Sequence, residues 1–244
     1  MTDRLFSAYI IAATPRSGSY LLCEALERTG VAGMPLEYAP LYESRSWREH
    51  HRFASHIEYF YQFRKLCTTP NGITGCKLMW SQLADMSTDI SRYVGMRRES
   101  DIERLEFFLG RVGFVRLVRR DRLRQAISLI RAMQTEIWSS RYATAEGSHP
   151  AHYDREAITW ALAKLSQEYK LWQAFIANSG RPMIEIAYED FSSDYRRGAA
   201  TILEFLGFDS TNVSGLPPSQ LLQQRDEITE KWVQRYRFER SACE

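Results

Sequence analysis

The sequence predicts a single α/β domain: a central, mostly parallel sheet flanked by helices. Short continuous apolar runs recur at 9–13, 113–118 and 183–187, as expected of strands covered on both faces. Between them lie segments with apolar residues at helical spacing, the longest at 155–177. No internal repeat, low-complexity tract or long linker divides the 244 residues, so residues 1–244 are read as one domain. A chain of that length can bury about three quarters of its unfolded surface.

The stretch that organises the chain is 9–23, YIIAATPRSGSYLLC. The apolar run ends at Pro15-Arg16-Ser17-Gly18-Ser19. From Tyr20 the apolar residues (Leu21, Leu22, Ala25, Leu26) fall at helical spacing, and Gly30 is placed as the C-cap. A strand, a Gly-containing loop and a helix N-terminus form an anion site, because the N–H groups of Ser17, Gly18, Ser19 and Tyr20 and the helix dipole converge. Arg16 adds a forked donor suited to phosphate or sulfate oxygens. The plainer alternative is an ordinary strand-to-helix turn with a solvated Arg16. Neither a Walker A loop nor a G-x-G-x-x-G fingerprint occurs.

In chain order, 30–38 is a Gly- and Pro-punctuated connection. If 31–33 is a brief strand, Glu37 leaves it on the same edge as Arg16; otherwise it is a solvated surface carboxylate. Residues 41–69 mix aromatic and charged residues and read as a helical insertion, either an acceptor lid or an oligomer contact. Its His50, His51 and His56 lack partners at metal-ligand spacing. Lys77 interrupts the short apolar strand before Trp80, and either snorkels at a sheet edge or points into a charged site. Residues 81–108 are polar and helical. The strand 113–118 runs into Arg119-Arg120-Asp121, with Asp121 able to cap a helix that places Ser128 two turns in. Arg119 or Arg120 with Ser128 would form a second anion site; a solvated basic helix face is the alternative. Residues 131–138 extend that helix, and 139–153 are a polar loop. The strand 183–187 ends in Tyr188-Glu189-Asp190, a helix covers 195–206, and Pro217 and Pro218 open a tail. Trp80, Trp138 and the aromatics of 41–69 suit sugar stacking, although such residues are more often core or interface.

Composition narrows the class. The balance of 44% apolar to 25% charged residues is that of a soluble globular chain, and a net charge of +2 with mixed signs gives no field for nucleic acid. The four cysteines form no C-x-x-C pair; buried free thiols at Cys23 and Cys76 favour a reducing compartment. No N-terminal signal and no apolar window of membrane-spanning length is found, so a cytoplasmic location is expected. No metal site is expected, since neither a D-x-D cluster nor a His/carboxylate set is visible.

Four pieces together resemble PAPS-dependent sulfotransferases, most closely the bacterial branch of trehalose 2-sulfotransferases. They are P-R-S-G-S-Y-L-L; Val118-Arg119-Arg120-Asp121 with Gln125-Ala-Ile-Ser128; the strand leading to Tyr188-Glu189-Asp190; and G-V-A-G-M-P-L-E37 with G-C-K-L-M-W, R-A-M-Q-T-E-I-W and W-V-Q-R-Y-R. The resemblance covers about 8 to 238 and is weakest over 41–69 and 85–112. It implies a P-loop-kinase-like sulfotransferase fold and a homodimer. It places the 5′-phosphosulfate of PAPS (3′-phosphoadenosine-5′-phosphosulfate) on Arg16 and residues 17–20, with Tyr188 beside the nucleotide. It implies a 3′-phosphate on Arg119 or Arg120 with Ser128, and Glu37 as general base towards a carbohydrate or glycolipid hydroxyl. Lys77, Trp80 and Trp138 stand near the implied acceptor. A small-molecule kinase would need the missing G-K-[ST]. A non-catalytic nucleotide-binding module would be favoured by loss of Glu37 or Arg16, and both are present.

Overall fold

The structure, a computed structural model, describes residues 6–37, 55–138, 150–216 and 226–241. Five strands among these form one all-parallel sheet: β1 (Ala8–Ala13), β2 (Leu36–Glu37), β3 (Thr74–Met79), β4 (Val112–Val118) and β5 (Met183–Ala187), in the spatial order β2-β3-β1-β4-β5. β1 is central and all six of its residues are buried. Successive strand side chains point to opposite faces, so β1 feeds two cores. Ala8, Ile10 and Ala12 join Cys76, Leu78, Val112 and Phe114 on one face. Tyr9, Ile11 and Ala13 join Val115, Leu117 and Ile186 on the other.

Helices cover both faces. α1 (Ser19–Arg28) buries Leu22, Ala25 and Leu26 on the second face, and Gly30, just past its Thr29 cap, takes a φ of +69°. α2 (His56–Cys67), α3 (Trp80–Tyr93) and α4 (Asp101–Leu109) cover the first. α4 starts in a capping box, Ser100 with Glu103. α5 (Arg122–Thr135) is capped by Asp121, whose carboxylate accepts from Arg124 N at 3.0 Å. α6 (Arg155–Ser179) sends Trp172 into the first core, where its indole N–H donates to Ala13 O at 3.0 Å. α7 (Tyr188–Ser193), α8 (Tyr195–Phe205) and α9 (Glu227–Ser241) complete the domain.

Several expectations change. Residues 31–33 are not a strand; the short strand is Leu36–Glu37, so Glu37 sits within the sheet's edge rather than beyond it. The described part of the 41–69 segment is α2. It turns Tyr59, Phe60 and Phe63 into the core, where Phe60 packs 4.9 Å from Phe108, so these three are packing groups, while Tyr61 stays exposed. Residues 41–54, with His50 and His51, lie outside the described residues, as does the side chain of His56. Residues 81–108 form two helices with a turn between them. α5 stops at Thr135, because Glu136 takes a left-handed φ of 58°. The C-terminal tail is helical from Glu227, and Trp232, Val233 and Tyr236 pack on Ala126, Ile127 and Ile130. Pro217, Pro218 and most of 139–153 lie outside the described residues. Cys23, Cys67 and Cys76 are free thiols, and Cys243 lies outside the described residues. Among the described residues, no helix is long and apolar enough to cross a membrane.

Gly33 links α1 to β2 and therefore sets where Glu37 begins. It has a φ of +76°, and an added Cβ would fall 2.6 Å from the Gly75 backbone nitrogen. Gly33→Ala is expected to lower stability by about 2 kcal/mol or more, since strain and overpacking add. A urea midpoint within error of the parent would contradict this account of the position.

Candidate active site

At the carboxyl end of β1 the chain turns through 14–18 into α1. Arg16 has a φ of 61° and Gly18 a φ of 90°. Ser17 N donates to Thr14 O at 3.2 Å, and Leu21 N to Gly18 O at 3.0 Å. Gly18 is required twice over, by its φ and because a Cβ there would meet the Tyr188 ring at 2.2 Å. Three other elements meet this loop. From α5, Ser128 accepts from Arg16 Nε at 2.9 Å. From the end of β4, Arg119 Nη1 donates to Arg16 O at 2.9 Å, and its guanidinium lies 4.8 Å from the centre of the Tyr188 ring, the first residue of α7. Arg16 also donates to the Trp138 carbonyl.

Two cations thus share one pocket. Burial, and then the Arg119 guanidinium, lower the proton affinity of Arg16. The Ser17 hydroxyl and Arg119 Nε are buried with no hydrogen-bond partner among the described residues. Buried donors left unsatisfied are costly and rare. Here they stand beside the N–H groups that open α1, so the donor set fits a polyanion with more than one anionic group.

The sheet's register builds the second half. Glu37 pairs with Lys77 across β2 and β3, and Lys77 pairs with Ile11 of β1. Cys76 and Leu78 point into the first core, so Lys77 faces the other side, 1% exposed, with Nζ 2.5 Å from Glu37 Oε2. The ammonium lies 3.7 Å from the centre of the Tyr20 ring. Tyr20 Oη donates to Glu37 Oε2 at 3.2 Å and Gln82 Nε2 to Oε1 at 2.8 Å. Burial by itself would push the Glu37 carboxyl up. The Lys77 charge and the hydrogen bonds from Lys77, Gln82 and Tyr20 outweigh it and hold the group below the usual carboxylate range. Burial works against the Lys77 ammonium too, yet the surrounding Cys23, Glu37 and Tyr20 raise its affinity for its proton.

Of the residues singled out by sequence, Arg16, Ser17, Gly18, Ser19, Tyr20, Arg119, Ser128 and Tyr188 come together at the loop, and Glu37 and Lys77 join them through Tyr20. Arg120 does not. It is 61% exposed and held by Asp190, with Nη1 and Nη2 at 2.6 and 2.5 Å from the two carboxylate oxygens. Trp80 packs edge-on against Trp172 at 5.3 Å and Phe175 at 6.2 Å, a core role in place of sugar stacking. Trp138 is 46% exposed and touches the site through its carbonyl. Sequence reasoning missed Gln82, Gln125 and Tyr169, which reach the site only through tertiary packing. Gln125 carried a signal, as a polar residue on the otherwise apolar face Ala126, Ile127, Ile130. Among the described residues, no group of three or more His, Cys, Asp or Glu side chains is arranged to hold a metal ion.

The model of the Stf0 sulphotransferase family matches residues 8–239, a span that runs from β1 through nearly all of α9. The chain belongs to that family. It is therefore a sulfotransferase by family. It is 28% identical to a trehalose 2-sulfotransferase of Mycobacterium tuberculosis (strain ATCC 35801 / TMC 107 / Erdman) over 97% of each chain. It is 28% identical to a trehalose 2-sulfotransferase of Mycolicibacterium smegmatis over 95% of this chain and 94% of the other. Among solved structures, a sulfotransferase from Alicyclobacillus acidocaldarius superposes with a TM-score of 0.47 at 12% identity, over 94% of this chain and 90% of that one. The sulfotransferase domain of the Synechococcus PCC 7002 olefin synthase gives 0.44 at 17%, over 92% and 82%.

Because the folded pKa of Glu37 is depressed, the stability its pair supplies is complete above its ordinary value of 4.5 and is lost as pH falls through the folded value. The Lys77 value is raised, so its share is complete below 10.5 and is lost only as pH rises through the higher folded value. Glu37→Gln should cost on the order of 1–3 kcal/mol at neutral pH. The gap to the parent should narrow as pH drops below 4.5, where the unfolded chain takes up the proton first, and should close as pH passes below the lower folded value. Urea midpoints at pH about 7 and about 3.5 test this; an equal gap at both would exclude the ionic contribution.

Proposed function

We propose that this Stf0 sulfotransferase moves the sulfuryl group of PAPS to a hydroxyl of a carbohydrate or glycolipid acceptor by in-line displacement, with Glu37 as general base. The observation that carries the reading is the convergence of Arg16, Arg119 and the unpartnered Ser17 hydroxyl on the loop that opens α1, one hydrogen-bonded residue away from a carboxylate. Bound PAPS supplies a sulfuryl group already activated by a phosphate leaving group. Its two separated anionic ends match a site with two guanidiniums.

In this reading Arg16 and the N–H groups of residues 17–20 hold the 5′ end and favour charge developing on the leaving oxygen. Arg119 is assigned to the 3′-phosphate in preference to Arg120, which Asp190 already occupies. Ser128 holds Arg16 in place, and the Tyr188 ring backs Arg119. Glu37 Oε2 accepts from Lys77 and Tyr20, which uses both of its lone-pair directions, while Oε1 accepts only from Gln82. The acceptor hydroxyl is therefore assigned to Oε1. A carboxylate held below its usual range is a weak base, and its work is to position the hydroxyl and take the proton late. Both curated relatives are named for trehalose, so a trehalose-like glycoside is the first acceptor to try.

Calorimetric titration with PAP (3′-phosphoadenosine-5′-phosphate), ATP and AMP is the first test. PAP should bind at about micromolar Kd or tighter and the others at least about tenfold more weakly. Equal affinity for PAP and ATP would sink the donor assignment. Glu37→Gln should lower turnover about 10²–10⁴-fold with PAP binding nearly intact. Arg119→Ala should weaken PAP binding by about tenfold or more, and Arg120→Ala by less than about twofold, read in the same titration. The reverse order would move the 3′-phosphate to Arg120.

A further inference from the structure

Gln125 lies on α5, fully buried, between the two arms of the site. Its Nε2 donates both hydrogens to the anion loop, to Thr14 Oγ1 at 2.9 Å and to Pro15 O at 2.8 Å. A backbone carbonyl only accepts, so the amide's orientation is fixed and Oε1 must face away from the loop. There it accepts from Tyr169 Oη, a residue of α6, at 3.2 Å. With its proton committed to Gln125, the Tyr169 hydroxyl accepts from Arg119 N at 2.9 Å. Arg119 Nη1 then returns to the loop at Arg16 O, 2.9 Å away. The result is a closed circuit: Arg119 N–H to Tyr169, Tyr169 to Gln125, Gln125 to Pro15, and from Arg16 back to the Arg119 side chain.

We infer that Gln125 and Tyr169 are positioning residues of this sulfotransferase, setting the separation and mutual orientation of the anion loop and Arg119. The inference rests on the donor assignment above for its ligand, PAP, and on geometry alone for the circuit. Several features support a positioning role over simple packing. Arg16 is a non-glycine residue at positive φ, a conformation that persists only where surroundings impose it. Its neighbour Pro15 is the residue Gln125 holds. The far end of the circuit is the backbone of Arg119, so a shift in the Tyr169 hydroxyl displaces the start of that guanidinium's stem. No apolar residue at 125 could hold three polar partners in fixed directions inside a buried site. The Arg122 guanidinium, 3.2 Å from the centre of the Tyr169 ring, presses on the same ring and limits its swing.

The test uses the full chain and PAP as probe, with Gln125→Leu, Tyr169→Phe and the double variant. Thermal unfolding without ligand establishes that each is folded; Tyr169→Phe removes one atom and keeps the ring, so it serves if Gln125→Leu does not fold. A cut circuit should raise the Kd for PAP about tenfold in each single variant. The double variant should be no more than about twofold worse than the weaker single, because both cuts open the same loop. A packing role would lower the unfolding temperature and leave the Kd of the folded protein unchanged. A PAP Kd within about twofold of the parent in folded Tyr169→Phe, or effects that multiply in the double, would overturn the inference. If the parent does not bind PAP, the donor assignment fails by itself. Pyrophosphate, a probe for the loop alone, then replaces PAP under the same two criteria.

Discussion

Everything at this site depends on β1 being covered on both faces. Six buried residues in a row leave no polar group for solvent until the strand ends, and in an all-parallel sheet every strand ends on the same edge. Polar groups that the core rejects therefore collect at that edge, along with the N-termini of the helices that follow. The loop 14–18, the Arg119 end of β4 and the Tyr188 end of β5 are three instances of one geometric fact. Trp172 reinforces it, since its indole caps the Ala13 carbonyl from the core side and leaves the loop to face the other elements.

The buried Lys77 shows how the same sheet tolerates a charge. Strand alternation sends it to the face opposite Cys76 and Leu78, and parallel register puts Glu37 beside it. An isolated ammonium 1% exposed would lose its proton instead of remaining charged. A carboxylate at 2.5 Å, with the Tyr20 ring beneath the ammonium, keeps it ionised. The cost falls on Glu37, whose basicity drops as the pair strengthens. Gln82 and Tyr20 complete the shell, so this carboxylate is fixed in direction by three donors. That favours a role in aiming a hydroxyl over one in abstracting its proton early.

Four of the five described strands, the turn at 14–18 and most helices were legible because each is a local pattern: continuous apolar runs, helical spacing, caps at Asp121 and Gly30. The pairing of Lys77 with Glu37 was half legible. Alternation along 76–78 gives the face, but the partner depends on register, which no local pattern fixes. The different surroundings of Arg119 and Arg120 follow from strand parity. Val115 and Leu117 face the α1 side, and carrying that parity on by one step puts Arg119 there and Arg120 opposite. Gln125 and Tyr169 are separated by 44 residues and meet only because α5 and α6 pack side by side. In the described part of 41–69, Tyr59, Phe60 and Phe63 look like a sugar platform by composition. On a helix, however, they share one face, and that face found the core.

Arg16 and Arg119 are placed where each lowers the comfort of the other. Burial and like charge both act against Arg16, and its hydrogen bonds to the Ser128 hydroxyl and the Trp138 carbonyl offset part of that cost. Arg120, Arg124 and Arg131 bind Asp190, Glu230 and Asp226 through two hydrogen bonds each. At the loop, Arg16 donates to Ser128 and to the Trp138 carbonyl, and Arg119 donates to the Arg16 carbonyl. In the proposed reading, an incoming polyanion relieves the repulsion between Arg16 and Arg119. The circuit through Gln125 and Tyr169 keeps the two from moving apart to relieve it sooner. In the proposed reading, a donor site held in this state binds through electrostatics that need no rearrangement when the ligand arrives, which is the condition under which charge stabilisation is most effective.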